Sequence, residues 1–104
     1  MADRYLMVLA PQATADLDAI FDEVAKDSPQ NALRVIERIL DAIDSLKTFP
    51  NRTIVQGRGA TGKSPVRSLP VQSWIVFFRV LEDQKVVRIL RVRHGARRRP
   101  RKFE

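Results

Sequence analysis

Two amphipathic stretches lie back to back in the first half of this chain, with only Asp27-Ser28-Pro29 between them. In the first, Ala13, Leu17, Ile20, Phe21 and Val24 recur at helical spacing. Asp16, Asp18, Asp22 and Glu23 fall largely outside that stripe and are expected in solvent. In the second, Leu33, Ile36, Ile39, Leu40, Ile43 and Leu46 repeat the pattern. Pro11 suits the first turn of a helix, where its missing N–H is not needed. Ser28 is a good N-cap, and Pro29 fits the first position of the second helix. So short a link folds the helices back as an antiparallel hairpin. The apolar side of such a hairpin must be covered by another layer, and this requirement limits the possible folds more than any other feature.

The covering layer is read from the flanks. Tyr5 to Leu9 reads as a short buried strand stopped by Pro11. Residues 51–65 are polar and hold three of the four glycines, which predicts a loop. Val66 to Leu69 forms a short strand, with Pro70 turning the chain. Trp74 to Val80 is rich in aromatic and β-branched residues and reads as a strand buried on both faces. Glu82-Asp83-Gln84 makes a hairpin turn to a partner strand from Lys85 to Arg93. The order is β-α-α-β-β-β, an α+β fold with the helix hairpin packed on a small, largely antiparallel sheet.

At 104 residues the chain is one domain, assigned to 1–98 with a basic tail at 99–104. It contains no cysteine and one histidine, which argues against disulfides and a protein-only zinc site. No cofactor or metal is expected. The opening apolar run is too short for a leader or a membrane span, so a cytoplasmic protein without membrane contact is expected. The net charge of +7 is unevenly spread: residues 1–51 carry −4 and residues 52–104 carry +11. From Arg91 to Lys102 there are seven cationic residues and no carboxylate. Such a cluster favours an anionic partner, whether nucleic acid, ribosome, acidic protein or membrane surface.

Gly57 to Ser64 matches the phosphate-loop pattern GxxxxGK[ST] letter for letter. That chemistry needs a helix beginning at the Lys-Ser end, whose amides hold the phosphates. Here Pro65 and Pro70 flank Val66-Arg67-Ser68-Leu69, which leaves room for no more than a turn of helix. Nucleotide hydrolysis is therefore rejected.

Several segments together resemble a known family. They are Leu9-Ala10-Pro11-Gln12-Ala13 with Asp16-Leu17, Asp27-Ser28-Pro29-Gln30-Asn31-Ala32, Leu46-Lys47-Thr48-Phe49-Pro50, Val66-Arg67-Ser68-Leu69, Trp74 to Val80, and Val87 to Arg98. In this order and spacing the chain resembles the RelE/ParE toxins of type II toxin–antitoxin systems, closest to the ParE (plasmid-stabilisation) branch. The resemblance implies a helix hairpin on an antiparallel sheet. It also implies a hetero-oligomer with a cognate antitoxin whose C-terminal segment wraps and neutralises the toxin. RelE-like proteins cleave mRNA on the ribosome, whereas ParE-like proteins are associated with inhibition of DNA gyrase.

RNA cleavage through the 2′-hydroxyl needs a base, an acid and cations around the phosphorane. Arg67, Arg79, Arg91, Arg93 and Arg97 could supply cations, but only His94 belongs to a class that titrates near neutrality. The lone tyrosine, Tyr5, is in the first strand, and the aromatic near the C-terminus is Phe103. The apparatus looks incomplete, so the expected activity is gyrase poisoning without hydrolysis, with Arg91, Arg93, His94, Arg97 and Arg98 as target contacts. The alternative is a ribosome-dependent endoribonuclease using His94 with Arg67 and Arg79. Two readings of His94 stay open, a turn-capping role before Gly95 and a direct role in the site. Arg67 and Arg79 either snorkel to a sheet edge or line a polar site. Arg97 to Arg101 is either a solvated end or a binding element. Gly95 is expected to allow a bend that a β-carbon would hinder. Trp74, Phe77 and Phe78 are expected in the core.

Overall fold

The computed structural model describes residues 4–48, 50–57 and 64–95. Strand β1 (Leu6–Leu9) leads into helix α1 (Pro11–Ala25), and α2 (Pro29–Asp44) follows after one short turn. Single 3-10 turns at Ser45–Lys47 and Pro50–Arg52 precede β2 (Ile54–Gly57). The chain then forms β3 (Val66–Val71), β4 (Trp74–Leu81) and β5 (Val86–His94). The five strands lie in the order β1-β5-β4-β3-β2. Only β1 and β5 run parallel, so the sheet is largely antiparallel as expected.

The helix junction follows the local chemistry. The Ser28 side chain accepts the Asn31 N–H at 3.1 Å, and Pro29 begins α2. Replacing this cap by alanine typically costs about 1 kcal/mol. The hairpin then covers one face of the sheet: Ala13, Ile20, Ile39, Ile43 and Leu46 pack against Val76, Phe78, Val80, Val87, Ile89 and Val92. Truncating fully buried Phe78 to alanine is expected to remove about 3–5 kcal/mol. On the opposite face Val66, Phe77 and Leu90 form a smaller cluster.

The structure corrects several expectations. Leu33 and Leu40 are exposed, while Ala32 and Ile39 are fully buried. Each leucine follows one of those residues directly, which carries it about 100° around the helix and off the covered side. Leu6 is also exposed, because β1 is an edge strand rather than a buried one. The polar segment expected to be a loop contains β2, which pairs antiparallel with β3. Strand β3 does not stop at Leu69 but runs through Pro70 to Val71. Partner β2 begins at Ile54, opposite Ser68, so Pro70 lies beyond it, where β3 is itself an edge and a missing N–H is tolerated. Gln72 and Lys85 take positive φ (54° each) in the β3–β4 and β4–β5 turns. Ser64 and Pro65 lead directly into β3, so no helix starts where a phosphate loop would need one. No helix among the described residues is long and apolar enough to cross a membrane.

Candidate functional site

Near its end β5 carries one residue more than β4. Arg91 faces Phe77 and Ile89 faces Phe78, which leaves Leu90 without a cross-strand partner. Strict alternation after Val87 and Ile89 would have put Arg91 into the core beneath the helices. Leu90 keeps to the other face with Phe77, and the bulge then changes the phase, so that Val92 enters the core.

The same stretch loses its neighbour on the other side. Strand β1 ends at Leu9, opposite Ile89, and the Ala10 N–H donates to the Ile89 carbonyl at 2.8 Å as the chain turns into α1. Beyond that point a side chain takes the place of a strand. Asp16 Oδ2 accepts the Val92 N–H at 2.9 Å and Arg91 Nε at 2.8 Å, and Oδ1 accepts Arg91 Nη2 at 3.0 Å. The Arg91 and Asp16 side chains are only 22% and 14% exposed. The hydrogen bond to Asp16 raises the Arg91 pKa further and outweighs the opposing effect of burial.

Asp16 was expected in solvent, and its burial is a correction. Ala13, Asp16 and Ile20 stand at i, i+3 and i+7, so the carboxylate lies within the apolar stripe. Its position between two core residues was the available sequence signal.

Past Arg91 the strand lines a cleft. Helix α1 supplies Asp16, Ala19, Ile20 and Glu23, and β5 supplies Arg91 to His94. Trp74, opposite His94 in the β4–β5 ladder, completes the lining. The His94 and Trp74 rings meet edge to face, 5.0 Å between centroids at 86°. Trp74 is therefore half-buried against the core and also faces the cleft. The Gly95 N–H donates to the Ser73 carbonyl at 2.7 Å and closes this end of the hairpin. A β-carbon added at Gly95 would lie 3.4 Å from the Ser73 oxygen, an ordinary contact, and its φ is not left-handed. The expected steric need for glycine is therefore absent.

The other candidate residues lie elsewhere. Arg67 Nη1 donates to the Asn51 carbonyl at 3.2 Å and the Thr53 carbonyl at 2.9 Å, binding β3 to the segment before β2. Arg79 is 7% exposed and donates through Nη1 to the Ser64 carbonyl. On β4, Arg79 is five residues from Trp74, roughly 16 Å along the strand. Arg67 faces Phe78, four residues from Trp74, roughly 13 Å away by the same measure. His94, Arg67 and Arg79 are thus not brought together, whereas Arg91, Arg93 and His94 are. Arg97 and Arg98 lie outside the described residues.

Tyr5 lies at the other end of β5. Its hydroxyl donates to Glu82 at 2.8 Å (Oε2) and 3.0 Å (Oε1). Glu82 also accepts from Asn51 Nδ2 at 2.6 Å and Lys85 Nζ at 3.3 Å. The hydrogen bond to Glu82 pushes the Tyr5 pKa up, while those from Asn51 and Tyr5 hold the Glu82 carboxyl below its ordinary value. Eight residues of β5 separate Val86 from His94, roughly 26 Å, so Tyr5 and His94 cannot act on one group.

Comparison with known proteins places this architecture. Residues 7–99 match the ParE toxin family of type II toxin–antitoxin systems, parDE. Toxin RelE2 of Caulobacter vibrioides is 38% identical over 87 residues, covering 83% of this chain and 90% of that protein. The chromosomal ParDE system from P. aeruginosa contains a similar chain with TM-score 0.71 and 27% identity, covering 89% of this chain and 98% of that one. The archaeal RelE–RelB complex from Pyrococcus horikoshii shares the fold at TM-score 0.64 and 18% identity, covering 91% of this chain and 99% of that one. The extent of the family match, together with the RelE2 relative, shows that this chain belongs to the ParE toxins of type II toxin–antitoxin systems.

Proposed function

We propose that the protein arrests growth by binding and poisoning DNA gyrase, with no hydrolytic chemistry of its own. The observation carrying this reading is the distance of Arg67, Arg79 and Tyr5 from His94. Arg67 and Arg79 hold backbone carbonyls, and Tyr5 holds Glu82 at the far end of β5. What lines the cleft with His94 is Arg93, Glu23, the half-buried Trp74, the paired Asp16 and Arg91, and the apolar Ala19, Ile20 and Val92. Arg93 offers a planar cation to an anionic surface of gyrase or of its DNA complex. Supercoiling by gyrase with the purified toxin tests this. Inhibition with trapped cleavage complexes is expected, and their absence from a preparation proven toxic in cells would refute it.

The partner controlling the toxin is a cognate antitoxin. Relatives of known structure are toxin–antitoxin systems, and the net charge of +7 calls for an acidic, amphipathic segment. Their affinity should fall as salt rises, measured by titration calorimetry across ionic strengths. A salt-independent complex would assign the affinity to apolar contacts instead.

One observation favours a second reading, ribosome-dependent mRNA cleavage. Glu23 and His94 line the same cleft, and a relative of this chain is named RelE2. A His94→Ala protein that remains fully toxic would eliminate it.

A further inference from the structure

Among the cations at the end of β5, Arg91 differs from Arg93. The Asp16 carboxylate takes its guanidinium fork with two hydrogen bonds at 2.8 and 3.0 Å, and both side chains are largely buried. The same carboxylate holds the Val92 N–H, at a place where β5 has no strand beside it. The Arg93 side chain makes no hydrogen bond or ion pair among the described residues.

We infer that Asp16 and Arg91 form one positioning device, in which Asp16 stands in for a missing strand and Arg91 acts through it rather than by touching the target. Three facts carry this. The bulge leaves Leu90 unpaired, so the last residues of β5 need another constraint on their register. The Asp16 carboxylate supplies it by bonding consecutive residues, one through its side chain and one through its backbone. The positioned residues are Arg93, next along the strand, and His94, whose ring abuts Trp74.

Burial explains why such a pair does not also serve the target. Withdrawing Arg91 for an external anion would leave Asp16 without its main counter-charge in a largely enclosed place. An arriving anion therefore meets Arg93 first. The inference rests on the reading of the β5 end as the target-facing surface.

A double-mutant cycle tests it. If Arg91 touched the target, Asp16→Asn would free it and leave inhibition intact or stronger. If the pair positions, Asp16→Asn and Arg91→Ala each weaken inhibition about tenfold, and the double variant is no worse than either. Trp74, the only tryptophan, provides a second readout, because its emission responds to the neighbouring His94 ring and to solvent. Emission should change in both single variants below their melting transitions and stay unchanged in Arg93→Ala. Global weakening alone would not alter the emission of a folded protein. Arg91→Lys keeps the cation but loses the fork, so it should also shift Trp74 emission and stands in if Asp16→Asn fails to fold. Full inhibition by Asp16→Asn, or lost inhibition with unchanged emission in Arg91→Lys, would overturn the inference. If the wild-type protein leaves gyrase untouched, the gyrase reading fails. The same cycle scored by growth arrest and emission still decides the role of the pair.

Discussion

The two ends of β5 solve one problem in opposite surroundings. At each, a carboxylate takes donors from a part of the chain far from itself in sequence. Glu82 takes Tyr5, Asn51 and Lys85 at the exposed end, whereas Asp16 takes the Arg91 fork and the Val92 amide at the enclosed end. The contact inventories are similar, but their expected strengths are not. In solvent, the donors of Glu82 are readily replaced by water and its cation is screened. Against α1, a lost partner leaves a charge with little water to replace it. The difference teaches that position in the fold decides which of two similar clusters holds its end of the strand more firmly.

The comparison is most strongly tested at Asp16. Asp16→Ala should lower stability by about 2–4 kcal/mol in urea denaturation, because it orphans both Arg91 and the Val92 amide. A loss no larger than that of Glu82→Ala would abolish the distinction. Arg91→Lys should cost less, about 1–2 kcal/mol, since the charge stays and the bidentate geometry goes. Arg93→Ala should leave the denaturation midpoint in place while weakening inhibition, which would separate positioning from contact on adjacent residues.

The smallest effect belongs to the exposed cluster and shows itself through pH. Glu82 has a lowered folded-state pKa, so its contribution is present above the ordinary value of 4.5 and is lost as pH falls through the folded value. Tyr5 has a raised pKa, so its contribution is present below 10.0 and is lost as pH rises through the folded value. Stability curves of the wild type and Tyr5→Phe should therefore differ slightly between these limits and converge outside them. A difference growing above pH 10 would mean that the hydroxyl acts otherwise.

The helix hairpin was legible because apolar residues at three- and four-residue spacing and a Ser-Pro start are local signals. Strands β4 and β5 were legible for the same reason, from dense aromatic and β-branched residues. Strand β2 was not, since its Ile54-Val55 pair is too short to stand out within a polar, glycine-rich segment. The bulge left only a trace, the adjacent apolar pair Ile89-Leu90, where the alternation changes phase. Asp16 was misread because a carboxylate within an apolar stripe looks like surface until a buried arginine is known to meet it. Nothing in the strand pattern of Arg67 or Arg79 distinguished a guanidinium holding backbone carbonyls from one facing a ligand.

The parallel pairing of β1 with β5 has a consequence for how the protein comes into being. Leu6 pairs with Val86, and Val86 opens the strand that also carries His94. Strand β1 must wait for β5 before its ladder can close, and such long-range pairing is slow to form. Strand β5 lies between β1 and β4, so no incomplete chain ending before it can join the two sides of the sheet. Nascent fragments on the ribosome should therefore be harmless, and toxicity should appear only after β5 has emerged and docked.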